Sequence, residues 1–259
     1  MVVIVRAEDV KKIYMQGKIE VPALRGISFT INEGEFVSIL GPSGSGKSTL
    51  LNILGALDSP TEGKILLDGS YVSEMKEKKR VIHRQKVGFV FQSLNLIPHL
   101  TAIENIELSM NIQGISRSER YKKAIQCLRF VGLSRWIRHK PNELSGGQRQ
   151  RVAIARALAR IPRPSFLLMD EPTGNVDIKS RDIIMDLICK LNKEYGITIV
   201  IITHDIEVAK LADRTLYLVD GLIFESEEEY VKKIQTWANN EYRSQFSSDK
   251  KEKFYDQDD

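Results

Sequence analysis

Gly41, Pro42, Ser43, Gly44, Ser45, Gly46, Lys47 and Ser48 run consecutively, with Thr49 behind them. Two glycines with four residues between them, followed by Lys and Ser, give the spacing of a loop that wraps the phosphates of ATP or GTP. Val37–Leu40 is a short apolar run just before the loop, and Thr49–Leu57 is helix-compatible just after it. That context lets exposed backbone N–H groups and the positive end of a helix dipole meet phosphate charge. In such a loop Lys47 reaches the outer phosphates and the Ser48 hydroxyl sits on magnesium.

Two further segments fit the same chemistry. Phe166–Asp170 is an apolar run ending in an acid, with Glu171 next. Asp170 can organise magnesium through water, and Glu171 can polarise an attacking water, which is phosphoryl transfer by positioning alone. Leu144, Ser145, Gly146, Gly147 and Gln148 precede a helical pattern and form a second anion cradle, this one without a lysine. One chain with two phosphate-binding devices is best reconciled with a two-fold, head-to-tail pair. Each nucleotide would lie between the lysine loop of one subunit and the serine-glycine segment of the other.

The elements that must position these groups follow from periodicity. Val2–Ala7 and Ile27–Ile31 read as strands, split by a polar segment containing Tyr14. Phe36–Leu40, Lys64–Leu67 and Val87–Phe91 read as further strands, with Glu74–Gln85 a charged helix. Ala102–Val131 is helical with a break at Gly114, and Gln148–Arg160 is a helix closed by Pro162 and Pro164. Phe166–Met169, Lys179–Glu194, Thr198–Thr203, Ile206–Leu211 and Thr215–Val219 then alternate strand and helix, as in a sheet with helical crossovers. The expected fold is α/β. It has a phosphate-loop NTPase core with an antiparallel β part and a helical subdomain inserted over approximately 95–160. Residues 1–240 form one domain and 241–259 a charged, disordered tail. Ile234 and Trp237 are the apolar contacts of a docked helix in the competing picture of the segment before that tail.

Bulk properties narrow the setting. The formal charge of +4 is small, and nothing resembles a nucleic-acid motif, so no nucleic-acid partner is expected. Lys76, Lys78, Lys79, Arg80, Arg84 and Lys86 form a basic cluster that reads either as a solvated helix face or as a surface for phosphates or lipid headgroups. No stretch approaches the ~20 apolar residues that cross a bilayer, and the start lacks a secretory signal, so a cytosolic location is expected. Cys127 and Cys189 lack C-x-x-C spacing and read as free buried thiols.

With these motifs in order, the chain resembles the ATPase subunit of an ATP-binding cassette transporter over roughly residues 3–225. The resemblance implies that Tyr14 stacks on adenine, Gln92 senses magnesium and the attacking water, and Leu144–Gln148 is the family signature. It implies that Asp170 and Ser48 serve magnesium, Glu171 is catalytic, Gly174–Asp177 couples the two sites, and His204 contacts the γ-phosphate. Read alone, Tyr14 is equally a half-buried strand-end residue and His204 a helix cap. Asn52–Gly63, Gly88–Leu96, Pro98, Thr101–Glu107 and Gly174-Asn175 further resemble the group serving lipoprotein release, macrolide or peptide export, and cell division. The resemblance implies ATP and magnesium as cofactors, a homodimer in the ATP state, and a separate integral membrane permease. It implies peripheral attachment at the cytoplasmic face of the membrane. A mechanotransmission ATPase regulating cell-wall enzymes and the motor of a small-solute importer remain alternatives, as does a soluble cassette ATPase acting on ribosomes or DNA. Leu94, Leu96, Ile97 and Leu100 either line the dock for the permease or pack a subdomain interface.

Overall fold

The computed structural model describes residues 2–160 and 163–237. The chain enters through an antiparallel hairpin of β1 (Val3–Gln16) and β2 (Ile19–Asn32), then β3 (Phe36–Leu40), the phosphate loop and α1 (Lys47–Leu54). β4 (Glu62–Leu67) pairs with β1, and β5 (Ser70–Tyr71) completes a four-stranded sheet in the order β2-β1-β4-β5. After α2 (Glu77–Arg84) come β6 (Val87–Val90) and the helices α3 (Ala102–Ile112), α4 (Arg117–Phe130) and α5 (Gly146–Leu158). The remainder alternates: β7 (Phe166–Asp170), α6 (Ile178–Lys193), β8 (Thr198–Thr203), α7 (Ile206–Ala209), β9 (Arg214–Val219), β10 (Leu222–Phe224), and a helix over 227–237. The second sheet runs β10-β9-β3-β8-β7-β6, parallel except at its β10 edge.

This parallel sheet is covered on both faces, which is why its strands read as unbroken apolar runs. Leu167 and Met169 of β7, with Ile199 and Ile201 of β8, pack toward α3–α6. Phe166, Leu168, Val200 and Ile202 point the other way, toward α1 and the antiparallel sheet. The period of two thus splits each strand between two cores, and it holds the strand ends, where the chemical groups lie, in fixed register.

The first two strands differ from expectation. They do not stop at Ala7 or begin at Ile27; both continue through the polar segment, with Tyr14 opposite Val21. The distal half of β1 is partly to fully exposed and the start of β2 is exposed, so no buried face imposes apolar alternation there. Register shifts between Ala7 and Val10, with Asp9 at φ 45, also break the pattern. The helix before the tail docks its Tyr230 ring on Tyr217 of β9, with centroids 4.8 Å apart. Residues 241–259 lie outside the described residues, so the expectation for the tail does too. Half of the basic cluster is paired: Arg80 and Arg84 with Glu77, and Lys86 with Asp68. Cys127 is buried and Cys189 partly so, both as free thiols.

Candidate active site

β3 is buried throughout and delivers the chain to Gly41, whose N–H donates to Thr203 O at 3.3 Å. The loop is tied again where Gly221 N–H donates to Ser45 O at 3.0 Å. Gly46 caps α1 at φ 104, and a Cβ there would lie 2.5 Å from Ala23 O. Both the conformation and the space therefore demand glycine. Lys47 Nζ donates to Gly41 O at 2.9 Å and Pro42 O at 2.6 Å, so its ammonium sits inside the curve of the loop. Burial pushes the Lys47 pKa down, and the Glu171 and Asp170 carboxylates oppose that. Among the described residues the buried Ser45 Oγ has no partner.

An open cleft of about 770 Å³ lies over the loop. Pro42, Ser43, Gly44, Gly46, Lys47, Ser48 and Thr49 line it, and so does Tyr14 with Val21, Pro22 and Ala23 of the neighbouring strand. Gln92, Asp170, Glu171 and His204 complete the lining. Gly41 and Ser45 belong to the loop without lining the cleft. Val21–Ala23 escaped the sequence reading because nothing in β2 marks which of its residues face the loop.

Asp170 ends β7. Burial raises its pKa, Glu171 raises it further, and Lys47 works against both. Glu171 has φ 44, a left-handed conformation that costs a non-glycine residue about 1–3 kcal/mol. It is over-determined by four bonds. Its N–H donates to Ile202 O at 2.9 Å. Its Oε2 accepts from Thr203 Oγ1 at 3.1 Å, and its Oε1 from His204 N–H at 3.0 Å and the ring Nδ1 at 2.6 Å. Thr203 was missed in the sequence; the available signal is a lone hydroxyl closing the aliphatic run Ile199–Ile202.

Leu144–Gln148 lies apart from the cleft, and so does Asp177. Ser145 caps α5 with a reciprocal bond pattern: its Oγ accepts from Gln148 N–H, and Gln148 Oε1 accepts from Ser145 N–H. Ser145 remains exposed. Gly147 is pressed against α6, where a Cβ would lie 2.5 Å from Ser180 Cβ and Oγ. Asp177 caps α6 through bonds from Ser180, which hold its carboxyl below the usual range. A smaller cavity of about 250 Å³ touches Gly146 and Asn175 on one side and shares Gln92 and Glu171 with the cleft.

Among the described residues no three or more His, Cys, Asp or Glu form a metal cage. Ser48, Gln92 and Asp170 nevertheless present hard oxygen donors to one cleft. That set fits magnesium, which favours one or two carboxylates completed by phosphate oxygens and water. Once bound there, the ion would neutralise charge on the phosphates.

The comparisons with known proteins give the family. The family described as ABC transporter matches residues 24–174. The chain belongs to that family. It is 49% identical over 229 residues to an uncharacterised ABC transporter ATP-binding protein, MJ0796, of Methanocaldococcus jannaschii, covering 86% of this chain and 97% of the relative. A dimeric structure of that cassette, in a post-hydrolysis state bound to ADP and Pi, superposes with a TM-score of 0.78 at 49% identity, covering 85% of this chain and 96% of that one. A lipoprotein-releasing system ATP-binding protein of Bacteroides thetaiotaomicron is 49% identical, covering 77% of this chain and 91% of the relative. A macrolide export ATP-binding/permease protein of Syntrophobacter fumaroxidans is 43% identical, covering 85% of this chain and 31% of the relative. The cassette is thus an ATP-hydrolysing subunit of the transporter type. No helix among its described residues is long and apolar enough to cross a membrane.

Proposed function

We propose that this cassette binds ATP and magnesium, pairs head-to-tail with a second copy, and drives a separate membrane permease in export or in extrusion of lipoprotein, peptide or drug. One observation carries the pairing: Ser145 is an exposed helix cap outside the cleft of its own chain. A free N-terminal turn with anion-binding N–H groups has no phosphate to meet unless another subunit brings one.

In this reading each residue has one task. Lys47 and the loop N–H groups hold the β- and γ-phosphates, and Ser48, Gln92 and Asp170 hold magnesium. Glu171 accepts the proton of the attacking water, and His204 helps to fix that carboxylate. Ser145 and Gly146–Gln148 of the second copy close over the γ-phosphate, and Asp177 couples the two sites. The site is complete only in the dimer, so ATP shifts the population toward the closed pair.

The permease contact is supported by a groove of about 310 Å³ between Leu57, Phe89 and Phe91 of the core and Ser109 and Arg156 of the helices. Arg156 fixes one edge by donating to Asn95 O and Leu94 O, both at 2.6 Å. Leu94 and Leu96 pack on the core, while Ile97 is exposed. The pair therefore packs the subdomain interface, and Ile97 is left to meet a partner. The likeness to lipoprotein-release and macrolide-export relatives favours extrusion over import, with a regulatory partner in division as the second reading. The cytoplasmic face of the membrane follows from the permease. The test is capture of tagged Glu171→Gln protein, with ATP and magnesium, from gently solubilised membranes of the source cell. A partner with few spans and a large extracytoplasmic domain supports export. A many-span partner with a solute-binding protein supports import, and ribosomal proteins alone overturn the transporter assignment.

A further inference from the structure

Tyr14 is held from outside the nucleotide cleft. Its phenol O–H donates to Asp58 Oδ2 at 3.1 Å. The other oxygen of that carboxylate accepts from Lys12 Nζ at 2.8 Å. The same ammonium donates to Ser59 O at 2.8 Å and stands 5.0 Å from the centre of the Tyr14 ring. Backbone bonds stitch these segments together, with Thr61 N–H to Lys11 O at 2.8 Å and Ile13 N–H to Thr61 Oγ1 at 3.0 Å. Tyr14 lines the cleft with its cross-strand partner Val21, whereas Lys12 and Asp58 lie outside it.

The Lys12 and Asp58 side chains are only 13% and 33% exposed, so their attraction is less screened than that of a surface pair. Burial alone would push the Asp58 carboxyl up, but the bonds from Lys12, Ser59 and Tyr14 hold it below the usual range. Asp58 also lies four residues past the end of α1 and is tied back to it. Its N–H and that of Leu57 both donate to Asn52 O, at 3.1 and 2.8 Å. The helix whose N-terminus meets the phosphates therefore ends in the turn that grips the tyrosine.

We propose that Asp58 and Lys12 are positioning residues for the nucleotide base. They lock the Tyr14 ring as a preformed platform at a distance from the phosphate loop set by α1. Fixing the ring before binding lowers the entropy lost when a base stacks on it. This rests on Tyr14 receiving the adenine. It adds that the base subsite depends on a charge pair remote from the base.

The test compares equilibrium binding of ATP and of inorganic triphosphate, which has no base, to the full-length protein by calorimetry. The variants are Tyr14→Ala, Tyr14→Phe, Asp58→Ala, Asp58→Asn and the double Tyr14→Phe/Asp58→Ala. Asp58→Ala is expected to weaken ATP about fivefold and leave triphosphate within about twofold, as for loss of one ordered aromatic contact. Asp58→Asn keeps an acceptor for the phenol but loses the charge that holds Lys12, so it should recover only part of that loss, and full recovery would overturn the role of the charge pair. The double variant should bind ATP no worse than the weaker single one, because both changes break the same bond. Equal weakening of ATP and triphosphate in Asp58→Ala would overturn the proposal in favour of a structural role for the turn. So would unchanged ATP binding in Asp58→Ala alongside weakened binding in Tyr14→Ala, which would keep the stacking platform but remove its support. Unchanged ATP binding in Tyr14→Ala would overturn the adenine assignment itself.

Discussion

The Nδ1 of His204 lies 2.6 Å from Oε1 of Glu171. A carboxylate only accepts, so Nδ1 carries the proton in this bond, and in the neutral ring Nε2 is left as an acceptor. The ring holding Glu171 in this way can donate to a phosphate from Nε2 only when doubly protonated, or after it turns away from the carboxylate. His204 is 65% exposed on its side chain against 10% for Glu171, so the histidine is the partner free to move. In this structure it is bonded to Glu171, the proposed general base.

Thr203 supplies the other grip on that carboxylate. Thr203→Val removes the 3.1 Å bond to Oε2, takes away the acceptor of Asp205 N–H at 3.0 Å, and leaves the shape nearly unchanged. A hydrogen bond to a charged group contributes about 1.5–3 kcal/mol, so turnover should fall roughly ten- to hundredfold. ATP affinity should stay within about twofold, since Thr203 does not line the cleft. Steady-state hydrolysis alongside nucleotide titration checks this; an unchanged rate would show that His204 alone orients Glu171.

The proposed head-to-tail interface can be blocked without touching the nucleotide cleft. Ser145→Arg places a long cation where the partner's phosphate loop must close. ATP binding to the monomer should persist while hydrolysis is lost, and an undiminished rate would contradict the pairing. The neighbouring Gly147→Ala acts differently. Its Cβ would meet Ser180 at 2.5 Å, and the strain should lower folding stability by about 1–3 kcal/mol. Denaturant unfolding separates the two effects.

Asp170 gives a pH-dependent prediction. Its folded pKa is raised, mainly by burial and then by Glu171. The stability tied to its proton is therefore fully present below the ordinary carboxylate pKa and is lost as pH rises through the raised value. At neutral pH the charged Asp170 works against the nucleotide-free fold. Asp170→Asn should raise the melting temperature of the nucleotide-free protein at pH 7, and the gain should shrink in acid while hydrolysis is lost. A melting temperature that falls at pH 7 would contradict the sign.

Much of this site is legible in sequence because its chemistry is local. The phosphate loop, the Asp170-Glu171 pair and Leu144–Gln148 each sit at one end of a strand or one start of a helix, and such ends leave a spacing that can be read. The parallel strands are equally visible, since cover on both faces makes them apolar throughout. The distal hairpin is not: partly to fully exposed, Lys11–Gln16 keeps its backbone ladder while losing any side-chain period. Contacts between distant segments are silent as well. Asp58 meets Tyr14 across 44 positions and Thr203 meets Glu171 across 32, and neither aspartate nor threonine is unusual where it stands. The strand order β10-β9-β3-β8-β7-β6 likewise depends on crossovers that local pattern does not encode.

The central claim is that each nucleotide site is built from two copies of this chain. Sedimentation of Glu171→Gln with saturating ATP and magnesium tests it most directly, with Lys47→Ala as the variant that should fail to bind. The account predicts a dimer for Glu171→Gln that returns to monomer when the nucleotide is removed, and a monomer throughout for Lys47→Ala. A Glu171→Gln protein that stays monomeric with ATP bound would contradict it.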